Sequence, residues 1–218
     1  MHLKNEMIVS LVMWMIMVGA SVWGYVNVPD VPMAVHFGID GTPNGFQPRD
    51  VALVMMPGLS LVLLVLLLWL LPAIMPKNAS IERSAGAYGI VVLATTGVLT
   101  VTHAILIFRA AGLNIDETRV TLSAVGILFM IIGNYLPKTR KNWLMGVRTP
   151  WTLSDERVWD KTHRFAGPLF MLCGAVVVLA AFVVPVTWRI AVLVAAVAIP
   201  AALSVIYSYL VARKLGTA

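Results

Sequence analysis

Charged residues are scarce in this chain. Only 12% of its 218 residues are Asp, Glu, Lys or Arg and 60% are apolar, whereas roughly a quarter of an ordinary soluble domain is charged. Cys173 is the single cysteine and lies in an apolar run, which excludes a disulfide framework and a cysteine-based metal site. No HExxH or GxSxG spacing occurs and the four histidines are scattered. The sequence therefore predicts no metal, no cofactor and no catalytic residues.

Long apolar runs take up most of the chain. Each is long enough to cross a ~30 Å hydrocarbon core as a helix rising ~1.5 Å per residue, and none has the alternation of barrel strands. The predicted fold class is all-α, a polytopic integral membrane bundle of six transmembrane helices in a single membrane domain (1–218), with an ordered external loop and a short cytoplasmic interfacial helix. The runs cover residues 7–27, 51–72, 86–109, 118–136, 165–184 and 188–211.

The basic residues predict the orientation. With six spans, both termini lie on one side, and that side carries twelve of the Lys and Arg residues: Lys4, Lys77, Arg83, Lys138, Arg140, Lys141, Arg148, Arg157, Lys161, Arg164, Arg213 and Lys214. The opposite side carries Arg49, Arg109, Arg119 and Arg189. The positive-inside rule then places both termini of a multi-pass membrane protein in the cytoplasm. The net charge of +6 is explained by topology and anionic lipids, not by direct nucleic-acid binding.

The external loop, residues 28–50, is rich in turn signals. It has four prolines and the pairs Asp40-Gly41 and Asn44-Gly45, which predict ordered tight turns. Val35, Phe37 and Ile39 alternate with polar or small residues, which predicts a short extended piece with these side chains on the membrane domain and His36 pointing away. The loop is either a recognition surface or a structural cap. The candidate ligand-binding residues are Pro32, His36, Phe37, Gly41, Asn44 and Gly45.

The cytoplasmic segment 137–164 has the densest polar chemistry. Pro137 is expected to end the fourth helix. Lys138, Arg140 and Lys141 follow it, where they would meet anionic lipid headgroups. Membrane lipids are therefore expected partners.

Arg148 stands apart from the other cations of this segment. It lies between Gly146 and Pro150, in a turn flanked by Trp143 and Trp151. Stacking of the guanidinium on an indole and bidentate binding of an anion are both chemically open to it.

Thr152 and Asp155 match a capping box, so a short helix is expected to begin near residue 153. Trp159 and His163 are four residues apart and share one face of it. The two residues form either a proton-handling or ligand site, or part of an interfacial helix anchored by its tryptophan.

Polar residues also occur inside the predicted spans. Thr96, Thr100 and His103 form a stripe on the third span, and Asn134 lies near the inner end of the fourth. They line a polar cavity or make hydrogen bonds between helices. The cavity interpretation, together with a faint inverted symmetry of loop lengths between the two halves, keeps transport open.

Two segments carry a family resemblance. The external VP…HFGIDGTPNGF loop resembles a bacterial membrane domain of unknown function that often precedes an immunity module. The stretch GNYLPKTRKNWLMGVRTPWTLSDERVWDKTHRFAG (133–167) resembles the signature of the SdpI family, named for an immunity protein against a sporulation-delaying peptide toxin. The matching residues are Gly133, Asn134, Pro137, Lys138, Asn142, Gly146, Arg148, Thr149, Pro150, Trp151, Trp159 and His163.

The resemblance implies a non-enzymatic, multi-pass six-helix protein of the bacterial cytoplasmic (inner) membrane that protects its producer from a secreted antimicrobial peptide. The peptide toxin is then the expected external partner. The family's namesake further implies a cytoplasmic transcriptional repressor held at the membrane. A transporter of small solutes or lipids is the alternative function.

Overall fold

The computed structural model describes residues 4–74 and 82–217. Within that part, six helical stretches are long and apolar enough to cross a membrane, which confirms the predicted all-α fold class. The helices are α1 (Lys4–Asn27), α2 (Arg49–Val65), α3 (Leu71–Ile74), α4 (Ala85–Ala110), α5 (Glu117–Tyr135), α6 (Pro150–Ser154), α7 (Glu156–Val183) and α8 (Val186–Lys214).

The second span consists of two helices joined without a break. α2 passes into α3 through a π-helical turn, Leu66–Leu70. Tyr88 of α4 donates its hydroxyl proton to the carbonyl of Leu67 in this turn. Because unpaired backbone groups are costly in the membrane interior, this bond stabilises the irregular turn.

Successive spans run in opposite directions, so their connections gather at two ends. We call the end with the connection 28–48 the hairpin end, and the end with the connection 136–155 the signature end. Lys77, one of the cations counted for the predicted cytoplasmic side, lies outside the described residues. The assignment of the signature end to the cytoplasm stays a prediction.

Paired glycines bring α5 and α7 into close contact. A Cβ atom on Gly133 would lie 2.6 Å from the carbonyl oxygen of Gly167, and one on Gly174 would lie 2.5 Å from that of Gly126. Any larger residue would force the backbones apart. Small residues at such crossings let transmembrane helices gain contact energy along their whole length.

A proline in α2 fixes the packing of α1. Pro57 has no N–H, so the carbonyl of Leu53 loses its usual helical donor. The hydroxyl of Ser21 in α1 replaces that donor at 2.7 Å. The indole Nε1 of Trp14 donates to the carbonyl of Pro57 itself at 2.9 Å. Two side chains of α1 thus compensate for the proline in α2.

The external loop folds as an antiparallel hairpin of β1 (Met33–Phe37) and β2 (Pro43–Gln47). The predicted turn at Asp40-Gly41 is present, with Gly41 at φ +77°, a conformation that favours glycine. The predicted turn at Asn44-Gly45 was wrong, because both residues lie in β2 and Gly45 pairs with His36. Val35 packs on a buried cluster at the hairpin end and His36 is exposed, as predicted. The prediction for Ile39 was wrong, because its side chain is 67% exposed: it lies past the end of β1, in the turn, where the alternation no longer holds.

The short helix at the signature end differs from the prediction. The capping box joins Thr149 and Thr152, so helix α6 begins at Pro150 and ends at Ser154. Asp155 caps the next helix by accepting the N–H of Arg157. Trp159 and His163 therefore lie at the start of the 28-residue helix α7, not on a separate interfacial helix.

Candidate functional site at the signature end

A tight turn starts the connection between α5 and α7. Asn142 is 1% exposed, and its Oδ1 accepts the N–H groups of Leu144 and Met145 at 2.8 and 2.9 Å. Its Nδ2 donates to the carbonyl of Arg140 at 2.8 Å. The amide side chain thus provides in one place the backbone partners that an irregular buried segment lacks.

His163 holds the next turn. Its Nε2 accepts the N–H of Val147 at 3.0 Å. Because Nε2 is the acceptor, the ring proton lies on Nδ1, which donates to the carbonyl of Trp159 at 2.8 Å. Gly146 packs directly on the ring, with φ +106° and no room for a Cβ atom. His163 is therefore a neutral, fully buried positioning residue.

Trp159 is also fully buried, which contradicts a role as an interfacial anchor. Its ring stacks on that of His163 with centroids 4.0 Å apart. Its Nε1 donates to the carbonyl of Thr139 at 3.2 Å. Trp159 and His163 thus pack beneath the connection and fix its two turns.

Helix α6 is attached to α8 by a serine. The indole Nε1 of Trp151 donates to Ser208 Oγ at 2.6 Å, and Thr149 Oγ1 lies 3.4 Å from the same atom. The Trp151 ring also meets Tyr209 edge-on. Pro150 fits the first turn of α6, where no N–H is needed.

The exposed edge of the connection consists of Trp143 and Arg148. Arg148 Nη1 donates to the carbonyl of Trp143 at 2.6 Å, and the Trp143 side chain is 56% exposed. Among the described residues, the cations that lie over aromatic rings are Arg49, Arg109, Arg119 and Lys138, so Arg148 does not stack on either neighbouring indole. A cationic side chain beside an exposed indole can bind an acidic or phosphorylated group.

The same connection also contacts α2 and α4, which precede it in the chain. Leu144 and Met145 pack against a buried cluster formed by Leu64, Tyr88 and Val92. Ser84 Oγ accepts the N–H of Arg140 at 2.8 Å. The connection therefore packs against α2 and α4 as well as against α7.

Electrostatics at this end are mostly those of exposed pairs. Asp155 accepts hydrogen bonds from the side chain and then the backbone of Arg157, and these lower its pKa from the usual 3.8 to about 2. Arg140 pairs with Asp160 at 3.5 Å.

The two predicted residues at the end of α5 lie in different surroundings. Asn134 is exposed, and Lys138 donates to its Oδ1 at 3.5 Å. Pro137 packs against Gly167 at the glycine crossing.

The hairpin residues form a second group at the opposite end. His36 Nδ1 and Asn44 Oδ1 share a hydrogen bond across the two strands, and Gly45 lies under the His36 side chain. Phe37 lies under the guanidinium of Arg109, 4.9 Å from the ring centroid. Gly41 contacts Val186 of α8, whereas Pro32 is exposed.

The intramembrane stripe does not form one polar surface. Thr96 and Thr100 donate their hydroxyls to Val92 and Thr96 carbonyls of their own helix. His103 is fully buried, and its Nε2 lies 2.8 Å from Ser21 Oγ of α1. For His103, the interhelical interpretation is the one that the geometry supports.

Sequence reasoning missed several partners. Ser208 and Ser21 were invisible because a serine in an apolar run has no distinguishing pattern. In the sequence Arg189 contributes only a charge to the predicted topology, yet its side chain is 6% exposed and donates to Asp116 at 3.2 Å. The seven-residue spacings Gly126–Gly133 and Gly167–Gly174 were a usable signal for a helix crossing.

The arrangement defines a polytopic α-helical membrane protein with a structured connection at one end and a β-hairpin at the other. In residues 4–74 and 82–217, no group of three or more His, Cys, Asp or Glu side chains is placed to hold a metal ion. Residues 138–208 match the SdpI/YfhL protein family, and residues 12–61 match a domain of unknown function, DUF1648. The chain is therefore similar to the domain of unknown function over its first part and to the SdpI/YfhL family over its last part, which confirms the predicted resemblance.

A curated relative supports the same assignment over a limited region. The chain is 43% identical over 58 residues to "Immunity protein SdpI" of Bacillus subtilis (strain 168). The matched region covers 27% of this chain and 28% of that protein. No solved structure gives a significant match to the chain.

Proposed function

We propose that this protein is a non-catalytic membrane immunity protein, which protects its producer from a secreted antimicrobial peptide. The proposal rests on the extent of the SdpI/YfhL match. That match runs from residue 138 to residue 208, and the same bounds enclose the buried network from Thr139 through His163 to Ser208. The segment shared with the family is thus the one that builds a rigid surface at the signature end.

In the proposed mechanism, the peptide binds at the hairpin end. His36, Phe37 and Asn44 form its receiving surface. Phe37 contacts Arg109, which pairs with Glu117 at the start of α5 at 3.6 Å. A peptide that binds one position of the hairpin more tightly than another would shift the equilibrium between two positions of α5. The size of that shift in free energy equals the difference between the two binding free energies.

The signature end carries the response. Because α5 is packed on α7 through glycines, a shift of α5 moves the connection that displays Trp143 and Arg148. We assign this end to the cytoplasm of the bacterial inner membrane, with both termini there. Its exposed edge is the place where a transcriptional repressor would bind, while Lys138, Arg140 and Lys141 contact anionic lipids.

The test is survival of a sensitive bacterial host challenged with a panel of secreted membrane-active peptides. Cells that make the protein should survive one peptide or a narrow class of them. The Arg148→Ala variant should lose this protection at equal membrane abundance. Arg157→Ala is the matched control, because Arg157 is also an exposed arginine at the signature end but bonds only within its own helix cap.

Two results would contradict the proposal. Absence of protection against every peptide would remove the immunity function itself. Equal protection by the unchanged chain, Arg148→Ala and Trp151→Ala would show that the signature surface takes no part in it.

Transport of a small solute or lipid is the alternative proposal. Its support is His103, which is fully buried in α4 and whose Nδ1 has no hydrogen-bond partner among the described residues. Buried ionisable groups in membranes often mark a pathway. Flux of a solute into liposomes containing the protein, lost in His103→Ala, would favour transport over immunity.

A further inference from the structure

An apolar groove runs along the outer surface between α1 and α2. Its volume is about 570 Å³, and its lining includes Trp14, Ser21 and Tyr25 of α1 and Asp50, Pro57 and Gly58 of α2. This volume lies within the range of roughly 300–1,000 Å³ that small-molecule sites occupy. Among its lining side chains, Val22, Tyr25 and Val54 are exposed on helices that are long and apolar enough to span a membrane, so the groove faces lipid.

The groove exists because of the proline site in α2. Gly58 follows Pro57, and a Cβ atom on Gly58 would meet nothing within 4 Å, so one wall is missing a side chain. The hydrogen bond from Trp14 Nε1 to the Pro57 carbonyl holds the two helices together at the end of the groove that Trp14 lines. The hydroxyl of Ser21 is already used by the Leu53 carbonyl, so the interior of the groove is apolar with its polar groups satisfied.

The length of the groove favours an acyl chain over a helix. Along α1, Tyr25 lies eleven residues beyond Trp14, which is ~16 Å at ~1.5 Å of rise per residue. That is about half of a ~30 Å hydrocarbon core, the depth of one leaflet. A transmembrane helix of another protein would need a partner surface through both leaflets, whereas one lipid chain needs only this depth.

The mouth of the groove is acidic. Asp50 lines it with its side chain 66% exposed, and the nearby Asp30 is 79% exposed. The Arg49 side chain between them is only 12% exposed. It lies over the Tyr25 ring at 4.7 Å and donates to the carbonyl of Val28. Its Nε also donates to Asp50 Oδ1 at 3.2 Å and lies 3.7 Å from Asp30 Oδ1, so this one cation pairs with both carboxylates. Two exposed carboxylates and one nearly buried guanidinium leave a net charge of −1 at the mouth, and this charge attracts a cation from the headgroup region.

We propose that this groove is a binding site for one acyl chain of a phospholipid whose headgroup carries a primary amine, with Asp50 accepting the ammonium. Apolar burial of the chain holds the lipid. A charge-assisted hydrogen bond to the carboxylate selects the headgroup. An anionic headgroup such as phosphatidylglycerol is disfavoured because it lacks the ammonium and would approach two carboxylates.

The test uses the purified full-length protein in lipid nanodiscs. Each sample contains a trace of phospholipid with a diazirine in its acyl chain and either an ethanolamine or a glycerol headgroup. After photolysis, mass spectrometry locates the labelled residues. We expect the ethanolamine probe to label the α1–α2 groove several-fold more than the glycerol probe.

Two variants separate the chain site from the headgroup site. Gly58→Leu fills the groove and should reduce labelling there several-fold, and Asp50→Asn should make the two probes label equally. Gly97→Leu is the control for the filling. It places the same side chain into a second lipid-facing groove of about 400 Å³, lined by Gly97, Thr100, Val101 and Ile127 and without a charged residue.

Asp40→Asn is the control for the charge, since Asp40 lies in the hairpin turn and does not line the groove. Equal labelling by both probes in the unchanged protein would overturn headgroup selection. Labelling unaffected by Gly58→Leu would overturn the site. Loss of peptide protection in Gly58→Leu with unchanged labelling would instead identify the groove as a peptide site and also overturn the proposal.

Discussion

The indole Nε1 of Trp151 donates a hydrogen bond to the hydroxyl of Ser208 at 2.6 Å. The two residues are 57 apart in sequence, and the bond attaches helix α6 to the last span. Ser208 is fully buried and Thr149 Oγ1 lies 3.4 Å from the same hydroxyl. One serine in an apolar helix therefore holds the end of the signature connection.

Ser208→Ala should destabilise the protein by ~1 kcal/mol or somewhat more, because it leaves a buried indole N–H without an acceptor. Thermal unfolding of the purified protein in detergent measures the change. Ser154→Ala, at an exposed serine of α6 that bonds only to the Trp151 carbonyl, should change the midpoint much less. Equal unfolding midpoints for the two variants would show that the hydrogen bond from Trp151 to Ser208 does not contribute to stability.

Gly146→Ala should be more damaging than another glycine-to-alanine change at positive φ. Left-handed backbone costs an alanine ~1–2 kcal/mol, and at Gly146 the new methyl would also collide with the His163 ring, which adds ~1–3 kcal/mol. Gly216→Ala is the matched control, since Gly216 has φ +69° and open space around it. Similar losses for both variants would contradict the packing of Gly146 on His163.

Gly133→Ala should weaken the α5–α7 crossing. The methyl group would lie 2.6 Å from two backbone atoms of α7, so the helices must separate, at a cost of ~1–3 kcal/mol. Gly97→Ala should be neutral or slightly stabilising, because a Cβ atom there meets nothing within 4 Å. Cysteine cross-linking between α5 and α7, after replacement of Cys173 by alanine, would report the separation directly.

Asp155 should make stability depend on pH only under acidic conditions. Hydrogen bonds from Arg157 lower its pKa from 3.8 to about 2 in the folded protein. A depressed carboxyl pKa contributes stability that is fully present above the unfolded value and is lost as the pH falls toward 2. The difference in unfolding midpoint between the unchanged protein and Asp155→Asn should therefore be constant above about pH 4 and shrink below it. A constant difference down to pH 2 would exclude the effect.

The spans were predictable because apolar run length alone decides what crosses a bilayer. The hairpin was predictable in outline because glycine and proline mark turns locally. The predicted packing of the Ile39 side chain was wrong because alternation does not say where a strand ends. The burial of Trp159 was not predictable: an indole at a membrane boundary anchors a helix to lipid or packs inside with the same spacing. The difference depends on the connection 139–149, which folds over it.

The position of the capping box also could not be predicted from the local sequence. Thr152 and Asp155 fit the expected spacing, but the pair that forms is Thr149 and Thr152. Hydrogen bonding of Thr149 and Trp151 to Ser208 favours the earlier start of the helix. A contact distant in sequence thus decided between two local alternatives.

The glycine pairs of α5 and α7 have one more consequence. Gly126 and Gly133 are seven residues apart, as are Gly167 and Gly174, and the two helices run antiparallel. Because the spacing is the same on both helices, both glycine contacts form in one register, and a slide of one residue would put a side chain where each glycine now lies. In the proposed mechanism, α5 and α7 would therefore tilt together without sliding, so that a displacement at the hairpin end would reach the opposite end of both spans.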